Sequence, residues 1–169
     1  MYFAFNKKVF FRSFQMSISM SILFISGHCN LTKNEFEQHY KPKLDLLQST
    51  PIVIGNAFGA DLMSFEYLLT KSYPIHLITI YHFGTGAPIS FYKNTNVKLV
   101  EGFTSYTKRD EAMTVASTED CAWVRPKSET KLLLGKHYSE KRKSGTELNL
   151  IRREKVREKI RQQNKSFET

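Results

Sequence analysis

Three short stretches hold the residues of this chain best suited to chemistry. They are Ser26-Gly27-His28-Cys29-Asn30, Gly55-Asn56-Ala57-Phe58-Gly59-Ala60-Asp61 and Ser144-Gly145-Thr146. Gly27 lets a backbone approach a ligand closely, and Gly55 and Gly59 allow a tight turn that feeds a helix N-terminus. Unpaired N–H groups at such a terminus, together with the helix dipole, suit an anion such as a phosphate. The Ser144-Gly145-Thr146 turn offers the same chemistry and adds two hydroxyls. Asp61, one turn into its helix, can accept hydrogen bonds from ribose hydroxyls. An acid there also simply favours a helix N-terminus. None of the three is a P-loop or a dinucleotide-binding fingerprint.

Other side chains carry weaker signals. His28 is either a general acid–base or a solvated loop histidine. Arg109 heads a helix, where a cation is electrostatically disfavoured, and so suggests an anion contact. His76 and His82 fall at even spacing on one expected strand, which fits strand-end polarity as well as metal binding. Trp123 reads as packing. No CxxC or Cys/His cluster has zinc-ligand spacing, and neither a metal nor a cofactor is expected.

The elements that must hold these residues are legible from apolar patterning. Four short runs, Ile22 to Ile25, Ile52 to Ile54, Ile75 to Tyr81 and Cys121 to Val124, do not alternate between apolar and polar. Such runs are typical of parallel strands buried on both faces. Between them lie helical patterns. Thr32 and Glu35 have capping-box spacing, and Phe36, Tyr40, Leu44 and Leu47 form an apolar stripe, interrupted at Pro42. Leu62, Phe65 and Leu69 mark a second helix. Thr107 to Asp120 reads as a third, and Ser144 to Gln162 as a long charged one. Gly84 to Thr104 and Pro126 to Lys143 read as loops. This order implies an α/β fold, a Rossmann-like three-layer sandwich with a mainly parallel sheet. Ligands then bind beyond the carboxyl ends of the strands.

The 169 residues suit one such domain. Eight Gly and five Pro exclude a collagen-like or linker-like chain. The net charge of +9 sits at the ends: residues 125–169 hold 14 Lys/Arg against 6 Asp/Glu, whereas residues 20–124 hold 8 against 10. A nucleic-acid reader would more naturally carry its basic face through the folded part. A nucleic-acid accessory role for the tail is therefore the least favoured alternative. The basic Arg152–Arg161 run, interleaved with Glu154 and Glu158, reads as a solvated helix face. The organisation expected is a basic leader over 1–19, a nucleotide-binding domain over 20–153 and a basic helical tail over 154–169. The leader is basic, aromatic and free of acid, so a mitochondrial address is the alternative to a cytoplasmic one. No stretch is long and apolar enough for a membrane span. Cys29 and Cys121 read as reduced thiols, one in a loop and one in a strand. Self-association into a homo-oligomer is left open.

A wider pattern emerges from Phe24-Ile25-Ser26-Gly27, Val53 to Asp61, Gly102-Phe103, Lys108 to Thr114, Trp123-Val124-Arg125-Pro126 and Ser144 to Asn149. In this order they resemble a branch of the SLOG superfamily, the Rossmann-like group that includes Lonely-guy phosphoribohydrolases and DNA-processing protein A. The resemblance spans about Met20 to Arg153. It implies a nucleotide or nucleotide-derived ligand facing Ser26, Gly27, Gly55, Gly59, Asp61, Arg109, Asp110, Ser144, Gly145 and Thr146. The chain departs from the branch at His28-Cys29, where a basic residue is usual. It also departs at Asn56, where Asp is usual, and at Lys108, where an acid is usual. Of the glycine-rich PGGxGT turn of the enzymes only Gly145-Thr146 remains, with Glu147 directly after. The expected function is ligand binding as a sensor. The alternative is an N-glycosidase acting on nucleoside monophosphates, with Asp61 and Glu147 as the carboxylates that stabilise positive charge on the sugar and His28 or a second acid protonating the leaving base.

Overall fold

The computed structural model describes residues 21–167; the leader over 1–19 lies outside them. Five parallel strands form one sheet in the order β4-β3-β2-β1-β5. They are β1 (Leu23–Ser26), β2 (Ile52–Gly55), β3 (Ile78–Tyr81), β4 (Lys98–Val100) and β5 (Glu119–Ala122). The two central strands, β1 and β2, are buried at every residue, which is why their sequences run apolar without alternation. In register, Leu23 faces Ile52 on one side and Glu119 on the other.

The sheet is covered on both faces, as a Rossmann-like sandwich requires. One face packs α1 (Lys33–His39), α2 (Lys41–Asp45), α3 (Ala60–Thr70) and α4 (Ile89–Lys93) over a large apolar core. Phe36, Tyr40 and Leu44 of the expected stripe are all buried there. The Thr32–Glu35 capping box forms, and Pro42 opens α2 as a separate start, the position where a missing N–H costs least. The opposite face carries α5 (Tyr106–Val115) and α7 (Gly145–Phe167), and its buried apolar cluster is only Phe24, Val53 and Met113. Polar groups complete that layer. Arg153 of α7, 2% exposed, bonds Asp120 Oδ2 at 2.8 Å and the Thr114 carbonyl at 2.7 Å, and also reaches the Ser117 carbonyl and hydroxyl.

Several expectations are corrected. Gly84–Thr104 is no simple loop, because it contains α4 and the edge strand β4. Lys98 to Val100 is too short and too exposed on its outer side to show an apolar signal. Pro126–Lys143 contains α6 (Lys127–Leu134), a helix with no buried residue. The third helix ends at Val115, and Asp120 belongs to β5. Ile75–Leu77 forms a 3₁₀ turn before β3, so His76 and His82 do not share a strand. Arg153 is an anchor rather than part of a solvated face, whereas α7 beyond it is largely exposed. Trp123 lies just past β5, its ring stacked on His39 at 4.2 Å, and packs against the main core. Among the described residues, no helix is long and apolar enough to cross a membrane.

Candidate functional site

The strand order sets the site. From β1 the chain steps outward through β2, β3 and β4, then returns with β5 on the other side of β1. The carboxyl ends of β1 and β5 therefore flank the point where the order reverses, the place where open parallel sheets leave a crevice for ligands. Tyr40 holds the two ends together: its buried hydroxyl donates to the Ser26 carbonyl at 2.9 Å and accepts from Trp123 N–H at 3.2 Å. A Cβ on Gly27 would come within 2.2 Å of that hydroxyl and 2.3 Å of Ala60 Cβ. Glycine is needed there for packing beneath the crevice.

A cavity of about 520 Å³ opens over this point. Its floor is Gly27 and Asn30 with Arg125, one wall is Tyr106, Arg109 and Asp110 of α5, and another is Ser144 to Glu147. Leu133, Leu134 and Tyr138 line it as well. The start of α7 is only half satisfied. Ser144 Oγ accepts from Glu147 N–H at 3.1 Å and the Ser144 carbonyl from Leu148 N–H at 3.0 Å. The Gly145 and Thr146 N–H groups find no acceptor among the described residues, and the buried Thr146 hydroxyl has no partner either. These are the unpaired donors a helix N-terminus presents.

Behind Arg109 lies a smaller cleft of about 40 Å³, lined by Ser26, Gly27, Asp61, Arg109, Asp110 and Asn149 among others. Arg109 is buried and bonds through three of its five guanidinium N–H groups. It donates to Asn56 Oδ1 at 3.0 Å and twice to Asp110 Oδ1, at 3.1 and 2.9 Å, with the Tyr106 ring 5.2 Å from its guanidinium. Asp61 lies 4.0 Å from the same guanidinium and accepts Ala57 N–H at 3.1 Å. Because Arg109 spends its short bonds on Asp110, burial dominates at Asp61 and pushes its carboxyl up to about 7.

The sequence-derived residues thus divide. Gly27, Arg109, Asp110, Ser144, Gly145, Thr146 and Glu147 line the cavity; Ser26 and Asp61 line the cleft. Gly55 and Gly59 line neither. A Cβ on Gly55 would strike Asp61 Oδ2 at 2.3 Å, and Gly59, at φ +71°, caps α3 against the His28 carbonyl. The α3 terminus is closed by the protein itself, since Ala60 N–H bonds the His28 carbonyl and Asp61 takes Ala57 N–H. His28 is half-buried and also lines the cavity. Its Nε2 accepts Arg125 N–H at 3.0 Å, and burial, with Arg125 nearby, lowers its pKa. Arg125 itself forks onto Glu35 at 2.7 and 2.9 Å and holds the Glu35 carboxyl near 2.

Asn149 and Tyr138 were not legible as site residues. Asn149 lies three residues after Thr146, on the same face of α7, and that spacing was the available signal; Tyr138 had none. Among the described residues, no group of three or more His, Cys, Asp or Glu gathers to hold a metal. The chain matches no family model, no curated protein and no solved structure.

Proposed function

We propose that this chain binds a nucleotide or nucleotide-derived ligand at the carboxyl edge of its sheet, acting as a sensor. One observation carries the reading: Gly145 and Thr146, whose N–H groups have no acceptor among the described residues, line a cavity at the strand-order reversal. The lining supports an anion, with Arg109, Arg125, Lys127, Arg142 and Lys143 against Asp110 and Glu147. Tyr106 and Tyr138 offer aromatic faces to a base. The SLOG-type resemblance implies the same ligand class.

The N-glycosidase alternative has one observation in its favour, the two carboxylates Asp110 and Glu147 on the cavity wall. Asp61 fits that role less well, since it is shut into the cleft. Calorimetric titration with AMP, GMP, CMP and UMP tests binding, and chromatography of the same mixtures for free base separates the two readings. A Cβ at Gly145 meets nothing within 4 Å, so Gly145→Val adds bulk at the helix start in space the backbone leaves open, and a melting curve checks that the variant is folded. Binding that falls at least tenfold in this variant supports the proposal. No binding by the unmodified chain, or binding untouched by Gly145→Val, overturns it.

A further inference from the structure

Residues 127–143 border the cavity without belonging to the core. The stretch consists of α6, a 3₁₀ turn at Gly135–His137 and the chain that runs on to Lys143, and none of its residues is buried. Its hydrogen bonds are local. Thr130 N–H bonds the Pro126 carbonyl at 2.9 Å, Tyr138 N–H the Gly135 carbonyl at 3.1 Å, and Arg142 N–H the Ser139 carbonyl at 3.1 Å. The Thr130 hydroxyl reaches the Arg125 carbonyl at 3.4 Å, and an exposed ion pair, Lys127–Glu140 at 3.7 Å, joins the segment to itself. Among the described residues, nothing ties 127–143 by a hydrogen bond or ion pair to any residue outside 125–143. Its two ends, by contrast, are fixed. Arg125 bonds Glu35, Asn30 and His28, and α7 is anchored through Arg153. A segment held at both ends and packed nowhere between is the part of a fold that moves at least cost.

That loose segment nevertheless supplies Lys127, Leu133, Leu134, Tyr138, Arg142 and Lys143 to the cavity lining. Leu132, Leu133 and Leu134 follow one another, with Leu132 86% and Leu133 54% exposed, and Tyr106 of α5, also in the lining, is 42% exposed. Six Lys or Arg against two Glu make the segment cationic. We infer that residues 127–143 form a hinged lid, which folds down over the cavity when an anionic nucleotide enters and brings Leu133 against Tyr106. The anion attracts the cationic segment, and closure takes two exposed apolar surfaces out of water. A ligand shifts such an equilibrium only through contacts that one state makes better than the other; Arg142, Lys143 and Leu133 supply them in the closed state. This rests on the nucleotide reading of the cavity and adds closure to it.

The test is limited trypsin digestion of the full chain, read by mass spectrometry, alone and with AMP, GMP, CMP or UMP, beside calorimetric titration of the same pairs. Cuts after Lys131, Lys136 and Lys141 report the lid; cuts after Lys155 and Lys159, exposed on the far part of α7, serve as the control. Proteolysis follows the population of the open form, so with saturating nucleotide the lid cuts are expected to slow about tenfold or more while the control cuts keep their rate. Leu133→Ser is expected to weaken binding about fivefold, through the leucine surface that closure no longer buries. Its melting temperature without ligand is expected to match that of the unmodified chain, which separates a lid contact from a structural one. A free chain whose lid sites resist trypsin overturns the lid. So does bound nucleotide that leaves the lid cuts as fast as before, or Leu133→Ser that binds as tightly as the unmodified chain; in both cases the nucleotide reading stands. Binding by none of the four nucleotides overturns both.

Discussion

Arg153 offers the sharpest test of how this domain is held together. Its guanidinium ties α7 to the end of α5, through the Thr114 and Ser117 carbonyls and the Ser117 hydroxyl, and to the start of β5 through Asp120. The two side chains of the ion pair are 3% and 8% exposed. Arg153→Met keeps most of the side-chain length and removes the charge. It strands a buried carboxylate and two carbonyls, and breaking one side of a buried pair costs about 3–5 kcal/mol. A domain of this size is stable by roughly 5–15 kcal/mol, so the variant sits close to unfolding. Urea titration followed by far-ultraviolet circular dichroism and by fluorescence of Trp123, the chain's single tryptophan, measures the loss from two parts of the fold. Adding Asp120→Asn to Arg153→Met is expected to recover part of it, because the stranded charge is gone. A single-variant loss below about 1 kcal/mol, or no recovery in the double variant, would refute the assignment of Arg153 as an anchor.

The pH dependence supplies two further predictions. Asp61 is raised from 3.8 to about 7 by burial, so the folded state binds its proton more tightly than the unfolded chain. Its contribution is greatest below pH 3.8, falls by up to ~1.4 kcal/mol per pH unit as pH rises toward 7, and levels off above that. The difference in stability between Asp61→Asn and the unmodified chain should follow that slope; a difference flat from pH 4 to 7 sinks the reasoning. Glu35 runs the other way. Arg125 lowers it from 4.5 to about 2, so its contribution is present above pH 4.5 and is lost as pH falls toward 2. Glu35→Gln should be less stable than the unmodified chain at pH 7 and approach it at pH 2 in thermal melts, and parallel curves across that range would contradict the fork.

What the residues disclosed in advance follows from what burial does to sequence. β1 and β2 are covered on both sides, so Leu23 to Ile25 and Ile52 to Ile54 could hardly be anything but interior strands. The α1 start was equally plain, because Thr32 and Glu35 satisfy each other locally, within four residues. β4 was hidden since an edge strand of three residues leaves little apolar imprint, and α6 because it buries nothing. Ser144-Gly145-Thr146 stood out by local turn chemistry. Its companion Asn149 matters only through a partner 39 positions earlier, Asp110. Arg153 was misread for the same reason: among Arg152, Lys155 and Arg157, nothing local says which cation turns inward.

That failure has a physical source, and it links the fold to the site. The face beneath α1 to α4 is filled by aromatic and aliphatic side chains, whereas the face beneath α5 and α7 has three buried apolar residues and then turns polar. An apolar face gains stability from area alone and tolerates approximate fits. A polar face must satisfy each buried donor and acceptor in place, so Arg153 is held by specific distant partners and Arg109 by its neighbour Asp110 and the distant Asn56. The exceptions are Ser26 Oγ and Thr146 Oγ1, both buried on this side and both without a partner. In a layer where Arg153 bonds through all of its N–H groups, the two hydroxyls left unpaired near the strand-order reversal mark where this layer's polar pairing stays incomplete.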